Sequence, residues 1–278
     1  MSLSSKAGSG ASFMSGQIIG LHEWFQTPPG RYLLAWEQSR FDQAVADVFG
    51  YHALQLGLAE VDGLRANRMP HRWLALDDPA SAARSALVTD FTALPFSANS
   101  LDLVVLPHAL ELSHDPHGTL REVERVLVPE GRVVICGLNP TSLWGMRQWR
   151  GHLYRRLGFG ELFLPDSGDF IGYRRMRDWL RLLSFEVESG DFGIYRPAVR
   201  SEAWLERCRW FDTLGERWWP IFGAVYFLVA VKRVRGMRLL SADWRRAAQR
   251  ASAPVPIAGK VHRGHHHHRT RQRQGNGS

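Results

Sequence analysis

Apolar and polar positions along this chain follow two periods. Between Thr27 and Gly50 the period is helical: Thr27-Pro28-Pro29-Gly30 reads as a turn with a helix cap, and Leu34, Phe41, Val45 and Val48 recur every three to seven residues. That spacing predicts a helix leading into Gly50. Beyond it come short apolar segments, Ala53 to Leu58, Trp73 to Leu76, Ala86 to Val88, Leu101 to Leu106 and Arg132 to Gly137, separated by stretches of helical or loop character. The clearest of these helices runs from His117 to Leu127, with Leu120, Val123, Val126 and Leu127 in one stripe. Further on, a helix from Arg174 to Leu183 precedes Phe185-Glu186-Val187, and Val225 to Val231 has strong strand character. Strands alternating with helices imply βαβ units and a parallel sheet. The expected organisation is a flexible Ser/Gly-rich N-terminus over residues 1–13, one folded domain over 14–235 and a basic, disordered tail over 236–278.

Composition agrees with one folded domain carrying appendages. The chain has 278 residues, 45% apolar and 22% charged, enough for a sizeable core and against wholesale disorder. Its formal charge of +8 is unevenly placed. From Lys232 onward there are 12 Lys/Arg and one acid, Asp243, so the chain before it carries about −3 and the stretch from Lys232 to the end about +11. That tail, with Arg245-Arg246 and four consecutive histidines at His265 to His268, holds no base-reading module, and nucleic acid is not an expected partner.

Two cysteines, Cys136 in a buried-strand pattern and Cys208, make no disulfide framework, which suits a reducing cytoplasm. No signal peptide is read at the N-terminus. The longest apolar stretch, Trp218 to Val231, is interrupted by Pro220 and falls short of the roughly 20 residues that span a bilayer.

In an open α/β sheet the ligand lies outside the carboxyl ends of the strands. The residues there are Gly57, Asp77 or Asp78, Asp90, Pro107-His108 and Asn139. An acid about 20 residues beyond the first glycine can accept hydrogen bonds from both hydroxyls of a ribose, and Asp77 stands at that distance from Gly57. Asp77-Asp78-Pro79 equally reads as the start of a turn.

Three motifs then occur in order. Asp90-Phe91-Thr92-Ala93-Leu94-Pro95-Phe96 is D-x-x-x-L-P-F, Ser100-Leu101-Asp102-Leu103-Val104 is S-x-D-x-V, and Arg125-Val126-Leu127-Val128-Pro129-Glu130-Gly131 is close to R-V-L-x-P-G-G. In this the chain resembles the class I S-adenosylmethionine-dependent methyltransferases of the type 11 branch. The resemblance implies an α/β fold, a Rossmann-like seven-stranded mostly parallel sheet with helices on both faces, closing on an antiparallel strand at Val225 to Val231. It implies S-adenosylmethionine as cofactor, with Asp90 at the adenine amino group, Phe91 against the ring and Asp77 on the ribose. Gly57, Leu58 and the backbone of Leu106 to His108, Pro107 included, would approach the methionyl part. Asp102 is expected to be structural.

The glycine loop departs from the pattern. Where the family has an acid followed by G-x-G-x-G, this chain has Gln55-Leu56-Gly57-Leu58-Ala59-Glu60-Val61. A β-branched Val61 does not readily take positive φ, Glu60 brings negative charge toward the cofactor's carboxylate, and Gln55 has no charge for a cationic ligand. Lowered affinity is the expectation. A protein of the same fold that has lost the cofactor and serves as a binding module through its basic tail is the alternative.

Methyl transfer to a protonated oxygen or nitrogen needs a general base, and His108 is placed to be it, within a polar cluster of Glu111, His114, Asp115 and His117. No metal-ligand spacing is present, so no metal is expected. A small or lipid-like acceptor would meet Tyr32, Glu111, Asn139 and Trp144. Between Leu143 and Leu157 the residues Leu143, Met146, Trp149, Leu153 and Leu157 share one helical face, with Arg147, Arg150, Arg155 and Arg156 set against them. Such a helix can make peripheral contact with an anionic membrane or press its apolar face on the protein as a lid, and the lid is the expectation.

Overall fold

Thr27 begins the first helix as expected. Its hydroxyl accepts from the Gly30 N–H at 3.4 Å, Pro28 sits at the first helical position, and α1 runs Pro28–Ala46. The row that α1 buries is Leu33, Glu37, Phe41 and Val45, spaced by four; Leu34 lies half-buried at its margin. The computed structural model describes residues 23–78, 85–157, 162–164 and 170–233. The chain divides into two units, Met1–Arg235 and Gly236–Ser278; the second, and the expected flexible N-terminus, lie outside the described residues.

After α1 come β1 (His52–Leu56), β2 (His71–Leu76), β3 (Leu87–Val88) and β4 (Leu101–Pro107). Two helices follow, α2 (Ala109–Leu112) and α3 (Pro116–Val126), and then β5 (Leu127–Leu138). The chain continues through α4 (Leu143–Arg156), α5 (Tyr173–Leu182), β6 (Phe185–Gly193), α6 (Glu202–Arg207), α7 (Trp210–Trp218) and β7 (Val225–Lys232). The strands form one seven-stranded sheet in the order β3-β2-β1-β4-β5-β7-β6, with β7 antiparallel to both its neighbours and the rest parallel. Alternate residues serve opposite faces. Leu54, Leu56, Val104, Leu106, Val133 and Ile135 pack toward α3 and α5, while Ala53, Leu103, Val105, Val134 and Cys136 pack toward α1. The central strands are therefore buried on both sides, as their continuous apolar runs require, while the edge strand β6 is largely exposed.

Two long-range polar contacts hold the frame. Asp102 accepts from the N–H groups of Tyr51 and His52 at 2.8 and 2.9 Å, fixing the entry to β1. Lys232, at the end of β7, donates to the carbonyls of Glu124 and Leu127 at 2.6 and 2.7 Å, satisfying acceptors at the end of α3.

The connection from β1 to β2 is irregular. Residues 57–70 hold no helix, and side chains satisfy the backbone in its place. Gln55 donates to the carbonyls of Leu58 and Val61 at 2.8 and 2.7 Å and accepts from the Gly63 N–H at 2.8 Å. Asn67 donates to Val45 and Val48 and accepts from the Met69 N–H at 2.9 Å. Leu58, Val61, Leu64 and Met69 are buried in the core on the α1 side.

Helix α4 overturns the lid expectation. Its inward face is Trp144 and Gln148: the Trp144 indole donates to the Arg196 carbonyl at 2.8 Å, and Gln148 exchanges two hydrogen bonds with the backbone of Leu164 at 3.0 and 2.9 Å. Leu143, Met146, Trp149, Leu153 and Leu157 point outward and are 47% to 68% exposed. The polar Gln148 anchors the helix because its amide matches a free backbone edge, and this leaves the apolar stripe to solvent.

Candidate active site at the carboxyl ends of the strands

The parallel strands bring Gly57, Asp77, Asp90, His108 and Asn139 to one rim of the sheet. Gly57 ends β1 with φ +82°, and a Cβ there would stand 3.2 Å from Ala109 Cβ and 3.4 Å from the Pro107 carbonyl oxygen. Both the left-handed backbone and the close approach of the next strand's exit require glycine at this position. Among the described residues of the loop beyond it none has positive φ, so Val61 is unstrained, and its side chain lies in the core rather than toward the rim. Leu58 likewise turns its side chain inward, leaving only its backbone to face a ligand.

Asp77 feels the charges of Asp78, Asp90 and His114, and Asp90 feels that of His114. Burial raises the Asp77 carboxyl above the usual range, and repulsion from Asp78 and Asp90 adds to it. Asp90 is held below its usual value by the Thr92 backbone N–H, which donates at 2.8 Å, and by the Thr92 hydroxyl at 2.7 Å. Phe91 beside it is buried in the core on the α3 side. A rim that gathers three carboxylates at the end of a glycine turn suits a ligand that brings hydroxyl and amino donors and a positive centre. Asp77 and Asp90 could hold the nucleoside part of S-adenosylmethionine, and the glycine turn leaves backbone open to the remainder.

His108 sits deeper. It follows β4 in the left-handed conformation, φ 53°, at the head of α2. Its Nε2 lies 2.7 Å from Glu37 Oε1 and its Nδ1 2.8 Å from Glu111 Oε2, all three residues being buried. Burial alone would lower the imidazole's pKa, but the Glu37 charge and the hydrogen bonds the ring donates to both carboxylates push it up to about 10. Glu111 also accepts from the Leu138 N–H at 2.5 Å, and the Cys136 thiol donates to Glu37 Oε1 at 3.3 Å, where burial pushes that thiol well up. Beside His108 and Glu111 lies a cavity of only about 10 Å³, lined also by Trp24, Phe25, Leu33 and Leu138. That is room for about one water molecule. With both ring nitrogens on carboxylates and, among the described residues, so small a cavity beside it, His108 in this arrangement does not fit the expected general base.

The other residues expected to meet the acceptor are tied into the frame as well. Tyr32 donates to Asp212 at 2.5 Å beneath the Arg196 guanidinium, which lies 4.2 Å from its ring. Asn139 donates to the Ile221 and Gly223 carbonyls at 2.8 and 2.9 Å and accepts from the N–H and hydroxyl of Thr141. Trp144 is buried against Trp24 and Phe163, and Glu111 is in the His108 network. Among the described residues only Glu111 of these four borders a cavity, the small one beside His108, and its carboxylate is already engaged by His108 and the Leu138 N–H. Glu37, the residue that completes the buried network, was not among the sequence candidates. The signal for it was present, since an acid stands in the i, i+4 row of Leu33, Phe41 and Val45.

Comparison with known proteins is consistent with this arrangement. Residues 55–135 match the family model described as a methyltransferase domain, the stretch that carries Gly57, Asp77, Asp90 and His108. The chain is 30% identical over 165 residues to the uncharacterized protein YafS of Escherichia coli (strain K12), covering 59% of this chain and 65% of that one. It is 36% identical over 63 residues to malonyl-[acyl-carrier protein] O-methyltransferase 1 of Coxiella burnetii, covering 23% of this chain and 22% of the relative. The chain thus spans less than two thirds of either relative's length. Among solved structures, a SAM-dependent methyltransferase from Thermotoga maritima superposes with a TM-score of 0.51 at 14% identity, over 76% of this chain and 94% of its own. That likeness is one of fold.

Proposed function

We propose that this chain, whose residues 55–135 match a family model described as a methyltransferase domain and whose fold is the class I sheet, is an S-adenosylmethionine-dependent methyltransferase acting on a small or lipid-like acceptor. The observation that carries the reading is the convergence of Gly57, Asp77 and Asp90 at one rim, inside the matched stretch. The cofactor, when bound, supplies a sulfonium methyl group that an aligned nucleophile can attack. The protein's part is to bind and orient. Asp77 accepts hydrogen bonds from the ribose hydroxyls, Asp90 accepts from the adenine amine, and the backbone at Gly57 and Leu58 admits the methionyl portion.

His108 takes a positioning role in this reading. Held as a cation between Glu37 and Glu111, it fixes the exit of β4, whose Pro107 carbonyl and following Ala109 crowd Gly57. The acceptor then needs no proton removed by His108, which favours a nucleophile already ionised at neutral pH. The Coxiella burnetii relative is named for such a class, an O-methyltransferase of a malonyl group. A lipid-like acceptor and peripheral membrane contact are the finer part of the proposal, supported by the outward apolar stripe of α4; no helix among the described residues is long and apolar enough to cross a membrane.

Thermal unfolding with and without ligand tests the reading. Cofactor at 100 times its dissociation constant stabilises by about 2.7 kcal/mol. A clear rise in Tm with S-adenosylhomocysteine is expected, and none at millimolar concentration would instead favour a methyltransferase-fold protein that has lost its cofactor.

A further inference from the structure

Helix α4 begins at the same rim as the site, with four residues between it and the end of β5. Its 14 residues reach about 21 Å. Trp144, Gln148 and the Arg147 guanidinium, which donates to the Ala198 carbonyl, bind it down on one side. On the other side Met146, Trp149, Leu153 and Leu157 are exposed in one stripe. Arg150 is also outward, its guanidinium 5.9 Å from the Tyr154 ring centre. Through Asn139, which holds the Ile221 and Gly223 carbonyls, the exposed Ile221 and Phe222 are brought beside the start of the helix.

Two properties select the occupant. Between Asn139 and Gly160 the sequence contains Arg147, Arg150, Arg155 and Arg156 and no Asp or Glu. A second copy of the chain, meeting this face through a two-fold axis, would set that positive charge against itself. An anionic bilayer has the complementary charge, and it also accepts Trp and Leu at the headgroup boundary, where tryptophan's apolar ring and polar N–H are both satisfied.

We propose that α4 is a membrane-docking element: the stripe through Trp149 and Leu153 enters the interface of an anionic bilayer while the outward Arg150 meets a headgroup phosphate. This deepens the reading of a lipid-like acceptor and rests on it only for the consequence that the site's rim would then face the bilayer. Docking itself needs no catalytic activity.

The test is flotation of the full chain with vesicles of phosphatidylcholine alone and of phosphatidylcholine with about 30% phosphatidylglycerol, for wild type and for the double variant Trp149→Glu, Leu153→Glu. Both positions are exposed, so the circular dichroism and Tm of the variant should match wild type. Wild type is expected on the anionic vesicles and not on the neutral ones, with binding weakened at least about ten-fold in the variant and reduced by 0.5 M salt. Equal binding by variant and wild type would show the basic tail acting alone and overturn the proposal. So would absence of wild-type binding, or light scattering that shows a dimer dissolved by the double substitution. Calorimetric affinity for S-adenosylhomocysteine on the same samples tests the transferase reading separately: its loss with vesicle binding intact leaves docking standing.

Discussion

Glu37 Oε1 and His108 Nε2 lie 2.7 Å apart in the interior, joining the middle of α1 to the turn that leaves β4. Removing one partner of a buried ion pair leaves the other uncompensated, which costs about 3–5 kcal/mol. Glu37→Ala should therefore lower unfolding free energy by about that amount, a loss readable in urea denaturation. Glu37→Gln keeps the volume and an acceptor and should cost less. A change below 1 kcal/mol in Glu37→Ala would mean that His108 is not carried as a cation.

The pH dependence of this network has a definite sign. The unfolded His108 loses its proton near its ordinary value of 6.5, whereas the folded one holds it to about 10. Between those values the native state binds more protons than the unfolded state, so stability falls as pH rises. The contribution is fully present below pH 6.5 and lost as pH passes 10. Other buried groups, Cys136 and Tyr226 among them, are pushed well above their ordinary values by burial and add their own pH dependence at the alkaline end, where their unfolded forms ionise. The comparison is therefore with His108→Asn, which tolerates left-handed backbone and carries no charge. The stability gap between wild type and this variant, measured from pH 6 to 10, should narrow steadily. Parallel curves would count against a cationic imidazole.

Asp77 and Asp90 should respond differently to neutral substitution. Asp77 is half-buried and its ionised form is disfavoured by burial and by Asp78 and Asp90. Asp77→Asn removes that cost, so the ligand-free variant should be as stable as wild type or more so, while its affinity for S-adenosylhomocysteine falls. Asp90→Ala removes a more exposed group, with little effect on ligand-free stability. Loss of a hydrogen bond to a charged acceptor is worth about 1.5–3 kcal/mol, roughly ten-fold or more in affinity. Isothermal titration of both variants checks this, and unchanged affinity in Asp90→Ala would remove its assignment to the adenine end.

The sheet was legible because its signals are local. Apolar runs such as Leu101 to Leu106 and the stripe of Leu120, Val123 and Val126 leave little choice between strand and helix, and the three motifs from Asp90 to Gly131 arrange them. The rim acids were legible for the same reason, since strand ends determine where they stand. What the sequence could not display was which polar group is consumed by the frame. His108 looks like a base until Glu37, 71 residues away, is folded against it. Asn139 looks like a ligand contact until the Ile221 and Gly223 carbonyls occupy its amide. The face of α4 was misjudged because periodicity marks an apolar stripe but not its direction, and Gln148, by pairing with the Leu164 backbone, turned it outward.

Gln55 provides the sharpest test of the altered loop. At this place the resemblance expects an acid, and restoring it would seem to restore affinity. The structure argues the reverse. The Gln55 amide nitrogen donates to the Leu58 and Val61 carbonyls, while its oxygen accepts from Gly63. A glutamate can keep only the last of these; its second oxygen would face two buried carbonyls, replacing attraction with repulsion and placing a charge in the interior. Gln55→Glu should therefore destabilise the protein by about 2–4 kcal/mol, one to two per carbonyl deprived of its donor, and weaken binding of S-adenosylhomocysteine by loosening the turn at Gly57. Unfolding and titration calorimetry read the two effects. Tighter ligand binding with undiminished stability would mean that Gln55 faces the cofactor rather than the loop, and that the helix-free crossover between β1 and β2 is not held as described.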